Sequence, residues 1–255
     1  MIPVERHQQI LALVSERGVV SIAELTERLE VSHMTIRRDL QKLEEQGVVL
    51  AVSGGVQSVE RLAIEPSHQD KEAMFSQQKA AIGQLAARQI PINSCIYLDA
   101  GTTTLALARQ IGERDDLTVV TNDFVIAAYL LEHSQCKLIH TGGTVCRENR
   151  SCVGAAAAQA LRNLFIDLAF ISASSWSMRG LSTPSEDKVM VKKAIVEASR
   201  RCILLSDTSK YGKVATYLAL PISVFDIIIT DGKLPEAAQE AIMQAGIALL
   251  LAEEP

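Results

Sequence analysis

"VSHMTIRRDL", residues 31–40, decides how the N-terminal end of the chain is read. Ser32 is a helix-capping residue type. Apolar residues then recur at Ile36, Leu40 and Leu43, the spacing of one buried helical face. With that face turned to a core, Met34, Arg38, Gln41 and Lys42 point away from it, and Thr35 and Arg37 lie at its flanks. The outward face offers guanidinium, ammonium and amide groups with no carboxylate at its centre. Asp39 falls nearer the core side, where it is placed to hold Arg37 or Arg38. Arginine matches both guanine edges and phosphate oxygens in geometry. On a lone helix such a pair is an ordinary solvated face, so the surrounding sequence has to decide.

Working outward, residues 5–17 place Ile10, Leu13, Val14 and the edge residue Leu11 on one helical face, and Gly18 stops the helix. Ser21 followed by Glu24 has capping-box spacing, with the carboxylate expected to reach back, and Ile22, Leu25 and Leu29 form the next buried stripe. The third helix starts at Ser32, runs to about Gln46 and ends at Gly47. In "VVLAVSGGVQSV" (48–59), two β-rich runs flank Gly54-Gly55, a two-residue hairpin signal. Three helices and a hairpin within residues 1–58 make a winged helix-turn-helix, and in that setting the arginines are presented to DNA.

Bulk composition does not advertise this. The 255 residues are 48 % apolar and 22 % charged with net charge −5, and residues 1–58 hold six Lys/Arg against eight Asp/Glu. DNA binding must come from local arrangement. No apolar run approaches the roughly 18 residues of a membrane span, and the N-terminus lacks a signal-peptide core. A cytoplasmic protein without membrane contact is expected. Its five cysteines include no C-x-x-C pair, and Cys95 and Cys202 sit in apolar runs as buried free thiols. The histidines make no metal-ligand spacing, so neither metal nor cofactor is expected.

Residues 59–76 are polar, contain one proline and lack a clear period; they read as a linker. From 77 to 255 the pattern is α/β. "CIYLDA", "LTVVTND", "KLIHTGG", "DLAFISAS", "RCILLSD" and "FDIIITD" are short apolar runs separated by helical segments, which predicts a mostly parallel sheet of Rossmann-like type. In such sheets ligands gather at the C-terminal strand ends. The strand-to-helix turn at Asp99 and Gly101 through Thr102, Thr103 and Thr104 is a candidate anion site. Thr121, Asn122 and Asp123, then Thr141, Gly142 and Gly143, then Asp207 and Lys210 close neighbouring strands. Together they suit a small polyol bearing a phosphate or another acidic group. Arg147, Lys192 and Lys193 are further candidates to face the pocket, with surface charge the favoured reading for each.

The segment "ERHQQIL…SIAELTERLEVSHMTIRRDLQKLEEQGVV", with its V-S-x-x-T-I-R-R-D-L core, resembles the N-terminal signature of the DeoR-type transcriptional repressors. D-A-G-T-T-T, V-V-T-N, T-G-G and D-x-S-K resemble the effector domain of the same family, so the resemblance runs from about residue 5 to 232. It implies that Ser32, Thr35, Arg37 and Arg38 touch operator DNA, with Lys42 a further phosphate contact. His33, Met34 and Gln41 complete that candidate set. It further implies a domain distantly similar to ribose-phosphate isomerase that binds a phosphorylated sugar or related metabolite. The expected partners are double-stranded operator DNA, that small-molecule effector and further copies of the chain, as a dimer or tetramer. The wing departs from the family: Leu50, Ala51 and Ser53 stand where basic residues are usual, so fewer phosphate contacts and a shallower salt dependence are expected.

The isomerases carry an acidic D-G-A-D at the end of a strand like "IDLAFISAS". Here Ile171, Ser172, Ala173 and Ser174 hold no carboxylate. Proton transfer between sugar carbons needs a placed base, so no catalytic residue is expected and a sensor is favoured. Glu186 and Asp187 lie downstream and leave open the alternative, a sugar-phosphate-processing enzyme with an accessory nucleic-acid module. Repressor and activator are not separable by sequence.

Overall fold

A computed structural model describes residues 2–52 and 54–253. The N-terminal unit contains α1 (Pro3–Arg17), β1 (Val19–Ser21), α2 (Ile22–Leu29), α3 (His33–Glu45), β2 (Val49–Val52) and β3 (Gly55–Ser58). Ile10, Val14, Leu25, Leu29, Ile36, Leu40 and Leu43 form its core, closed by Val20, Val49 and Val56 of an antiparallel β1-β3-β2 sheet. Ser21 Oγ accepts from Glu24 N at 3.1 Å, capping α2. The reciprocal half of the expected box is not made: the Glu24 carboxylate pairs with Arg17 and Arg28 instead. Ser32 Oγ caps α3 by accepting from Thr35 N at 3.2 Å. Val52 pairs with Gly55, so Gly55 opens β3 rather than lying in the turn. A Cβ on Gly55 would stand 2.6 Å from the Val20 carbonyl oxygen, which is why β1 approaches so closely there. The expectation for Ser53 falls outside the described residues.

The expected linker is ordered on the second unit. β4 (Glu60–Arg61) pairs in parallel with a later strand, and α4 (His68–Ala73) is capped by Ser67 Oγ, which accepts from Asp70 N at 3.2 Å. After α5 (Ser76–Ala87) come β5 (Cys95–Leu98), α6 (Thr102–Ala108), β6 (Thr118–Thr121), α7 (Phe124–His133) and β7 (Lys137–His140). β8 (Thr144–Cys146) and β9 (Ser151–Val153) form a hairpin before α8 (Gly154–Arg162) and β10 (Ile166–Ser172). Next are β11 (Ser175–Ser177), β12 (Gly180–Thr183), α9 (Glu186–Ala198), β13 (Ser199–Leu205) and β14 (Lys213–Val214), the partner of β4. β15 (Tyr217–Pro221), β16 (Ile227–Asp231), α10 (Glu236–Gln244) and β17 (Ala248–Ala252) complete the chain's elements.

The main sheet is parallel with order β17-β16-β13-β10-β5-β6-β7, and β11-β12-β15 form a small antiparallel sheet beside it. Alternate residues of the central strands enter two cores. Ile96, Leu98, Leu168 and Phe170 face α5, α6 and α7, while Tyr97, Ala169 and Ile171 face α8 and α9. Burial on both faces explains the continuous apolar runs in the sequence. From β5 the chain winds outward through β6 and β7, then crosses back to β10 on the other side of β5. The reversal opens a crevice at the carboxyl ends of β5 and β10, the place where open α/β sheets bind ligands. Cys202 is buried, whereas Cys95, at the start of β5, is only half-buried.

Candidate functional site

The helix face singled out in the sequence is outward. Ser32, His33, Met34, Arg37, Arg38, Gln41 and Lys42 are exposed and Thr35 is half-buried. Ser32 Oγ lies 3.0 Å from Thr35 Oγ1, and Gln41 Nε2 donates to Glu45 Oε1 at 3.3 Å. Among the described residues neither Arg37 nor Arg38 has an ion-pair or hydrogen-bond partner. Asp39 does not hold them, contrary to expectation. It is 4 % exposed and accepts from Arg6 through both oxygens, with His7 Nε2 at 2.9 Å, which ties α3 to α1. Burial pushes the Asp39 carboxyl up, but Arg6 and His7 outweigh it and hold it below its usual value. Two guanidinium groups are thus left free on a helix whose buried carboxylates, Asp39 and Glu44, are both engaged elsewhere.

In the wing, the apolar side chain of Leu50 is turned inward. Leu50 is 5 % exposed and packs in the core of the α/β unit with Trp176, Leu181 and Tyr211. Gly212 admits it: a Cβ there would stand 2.3 Å from Leu50 Cδ2. Tyr211 stacks edge-on against Trp176 with ring centroids 4.7 Å apart. Its hydroxyl donates to Glu44 Oε1 at 3.3 Å, and Glu44 Oε1 also accepts from Ala51 N at 3.0 Å. Burial raises the Glu44 carboxyl above its usual value. The C-terminal end of α3 is therefore joined to the loop after β13. Nothing in the sequence announced this joint except the apolar Leu50 in a position expected to be basic.

At the switch point the groups lining the crevice are Glu65, Asp99, Ala100, Asn122, Asn149, Ser151, Val153, Ser172, Ser174, Lys188, Val191 and Lys192. Asp99 Oδ2 accepts from Ser172 N and Oγ at 3.1 Å each and from Lys192 Nζ at 2.6 Å. Lys192, expected as surface charge, is 5 % exposed and also donates to Ser172 O at 2.8 Å. Arg147 and Lys193 are exposed. Asn122 Oδ1 accepts from Tyr97 OH at 2.8 Å, and Asn122 Nδ2 donates to Cys152 O at 2.8 Å. Glu65, from the segment before α4, accepts from Lys71, Lys188 and Ser174. Burial pushes the Glu65 carboxyl up, yet Lys188 and Lys71 hold it well below the usual carboxylate range. Lys79 is driven by burial, and then by Lys210, down to about 8.

Of the residues expected here, Asp99 and Asn122 line the crevice. Gly101, Thr102, Thr103, Thr104, Thr121 and Asp123 sit behind it. Thr104 Oγ1 donates to Asp99 O at 2.6 Å, and Thr121 Oγ1 donates to Leu98 O at 2.7 Å. Asp123 caps α7 by accepting from Val125 N and Ile126 N and takes Gly101 N as well. The Thr102 and Thr103 hydroxyls are buried and unpartnered. Gly142 and Gly143 have φ of +66° and +121°, and a Cβ on Gly143 would meet Ala157 of α8 at 2.9 Å. Thr141 Oγ1 donates to Gly142 O, so that stretch is a packing turn. Lys210 Nζ lies 3.6 Å from Asp207 Oδ2. Glu186 and Asp187 are exposed and line no part of the crevice. Among the described residues no three His, Cys, Asp or Glu side chains group as metal ligands, and no helix is long and apolar enough to cross a membrane.

A winged unit with an open cationic helix face, joined to an α/β unit with a lysine-lined crevice, has the build of a DNA-reading regulator with a small-molecule sensor. The chain belongs to the DeoR family of helix-turn-helix transcriptional regulators. The DeoR-like helix-turn-helix domain matches residues 6–61, and the DeoR C terminal sensor domain matches residues 74–232. The chain is 66 % identical over 253 residues to the "Uncharacterized HTH-type transcriptional regulator YgbI" of Escherichia coli (strain K12), covering 99 % of each. It is 32 % identical to the glycerol-3-phosphate regulon repressor of the same organism, over 97 % of this chain and 98 % of that one. Its backbone also resembles ribose 5-phosphate isomerase A of Methanocaldococcus jannaschii at a TM-score of 0.39, with 16 % identity over 52 % of this chain and 53 % of that one.

Proposed function

We propose that the chain is an operator-binding repressor of a carbohydrate or sugar-acid catabolic operon, acting in the cytoplasm and released from DNA by a phosphorylated sugar or sugar acid. The carrying observation is the pairing of unpartnered Arg37 and Arg38 on an exposed helix with a remote crevice where Lys71, Lys188 and Lys192 converge on carboxylates. Residues 1–58 act as the reading head, 77–255 as the sensor, and 59–76 as the connection. Ser32, Thr35, Arg37, Arg38 and Lys42 contact DNA, and the same helix of a second copy reads the other half-site. The repressor of the glycerol-3-phosphate regulon supports both the sign of regulation and the phosphorylated class of effector.

A sensor is favoured over a catalyst because both carboxylates in the crevice are fully engaged. Asp99 is bound by Lys192 and Ser172, and Glu65 by two lysines and a serine. A general base needs a lone pair aimed at its substrate. The test is a gel-shift series with promoter fragments flanking the gene, repeated with sugar phosphates and aldonic acids. A specific shift reversed by one of them supports the proposal. No shift with any fragment, or isomerisation of a sugar phosphate by the purified protein, defeats it.

A further inference from the structure

The crevice at the switch point is nearly full. Its open volume is about 20 Å³, room for a water but not for a sugar. One group filling it comes from outside the sheet and its crossover segments. Glu65 lies between β4 and α4, and its Oε1 accepts from Lys71 Nζ at 2.5 Å. Its Oε2 accepts from Lys188 Nζ at 2.6 Å and from Ser174 Oγ at 2.9 Å. Lys71 is steadied by Asn149 Oδ1 at 2.6 Å. Two ammonium groups and a hydroxyl converging on two oxygens form a donor set that a free carboxylate or phosphate takes equally well.

The tether gives that contact a consequence. Only Val59 separates β3 of the reading head from β4. The connection is then held at Leu62 N, which donates to Val214 O at 2.8 Å, at Glu65, and at His68 N, which donates to Glu148 O at 2.8 Å. Glu65 is the side-chain fastening between two backbone ones.

We propose that Glu65 is a tethered stand-in for the anionic group of the effector. The effector's carboxylate or phosphate displaces it from Lys71, Lys188 and Ser174, and thereby frees the segment 62–67 that positions the reading head. The inference rests on reading this crevice as the effector seat. Effector and connection compete for one donor set, so ligand binding and head placement are linked by mass action, without a separate relay.

The experiment uses the full chain and inorganic phosphate as probe, with calorimetry for affinity and hydrogen exchange for the segment. If Glu65 fills the seat about nine-tenths of the time, emptying it in Glu65→Gln tightens phosphate binding about 10-fold. In wild type, phosphate speeds exchange of the Leu62 amide, which donates to Val214 O; in Glu65→Gln it exchanges fast already and phosphate adds nothing. Glu65→Ala behaves the same way, Lys188→Met in the Glu65→Gln background cancels the gain, and Glu72→Gln, a charge change outside the crevice, leaves affinity unchanged. Phosphate bound no more tightly by either Glu65 variant, or bound without faster exchange at Leu62, overturns the displacement. If wild type still leaves operator DNA on adding a sugar phosphate, the repressor reading survives that result. If neither wild type nor variant binds any sugar phosphate, sugar acid or phosphate, the seat itself is misplaced and both fall.

Discussion

Replacing Lys192 by methionine separates a buried ion pair from a surface charge. Lys192 is 5 % and Asp99 3 % exposed, and Nζ donates to Asp99 Oδ2 at 2.6 Å and to Ser172 O at 2.8 Å. Lys192→Met keeps the length of the side chain and leaves Asp99 with Ser172 N and Oγ and a long 3.4 Å contact from Tyr97 OH. Removing one partner of a buried pair costs about 3–5 kcal/mol. At about 2–4 °C per kcal/mol for a unit of this size, the melting temperature falls by about 6–20 °C. The double change Asp99→Asn, Lys192→Met removes both buried charges and recovers most of that loss. Thermal and urea unfolding of wild type, both single variants and the double variant measure it, and the cycle isolates the pair. A surface lysine predicts a change within about 0.5 kcal/mol. A Lys192→Met melt within about 2 °C of wild type, or a double variant as unstable as the two singles added together, refutes the argument.

Arg38→Ala should abolish specific operator retention while the melting temperature stays put, because its guanidinium has no hydrogen-bond or ion-pair partner among the described residues; if the contact is to a phosphate, the salt slope of residual binding drops by about 1. Leu50→Ala should cost about 2–4 kcal/mol and split one cooperative melt into two, since Leu50 fills the joint at Gly212; a single unchanged transition in calorimetry contradicts that packing. Lys79 has a folded pKa of about 8, below its unfolded value, because burial penalises its charge. The unfolded chain therefore holds more protons between about pH 8 and about pH 10.4, so stability rises with pH across that window. In Lys79→Met the rise is absent, and chemical denaturation at pH 7.5, 8.5 and 9.5 compares the two slopes.

The helical head was readable because its signals are local. The spacing of Ile36, Leu40 and Leu43 fixes one face, Ser32 fixes the start, and together they set the direction of Arg38. Six of the seven strands of the main sheet were readable from their apolar runs, which in the central strands reflect burial on both faces, while β11 (SWS) and β12 (GLST) have no such run. The crevice was half-readable. Strand-end position found Asp99 and Asn122, but the threonines after Gly101 are turned inward, Thr104 bonding within the turn and Thr102 and Thr103 buried without partners. Lys192 and Lys188 sit on α9 at i, i+4, and nothing in that polar helix distinguishes the face that covers the sheet. Glu65 lay in a polar stretch without periodicity, and its role depends on Lys188, 123 positions away in sequence. Glu24 and Asp39 went astray for a shared reason. A carboxylate chooses the nearest cation in space, and for both of them that cation lies on another helix or another turn.

The apolar wing and the loop after β13 belong to one arrangement. In a winged head free to move, residues 50–53 would be available to DNA and basic side chains there would add phosphate contacts. Here Leu50 is spent on Trp176 and Tyr211, and Glu44 of α3 accepts from Tyr211 OH. Tyr211 directly follows Lys210, which pairs with Asp207 beside the cluster of Lys71 and Lys79. The head is thus fastened to the sensor twice, by the wing joint on one side and by the segment holding Glu65 on the other. A head fixed at two points presents Arg37 and Arg38 in one orientation. If an effector displaces Glu65 as proposed, the wing joint remains as the pivot about which the head turns. On that proposal, the wing residue given to the joint instead of to DNA is what makes operator affinity switchable.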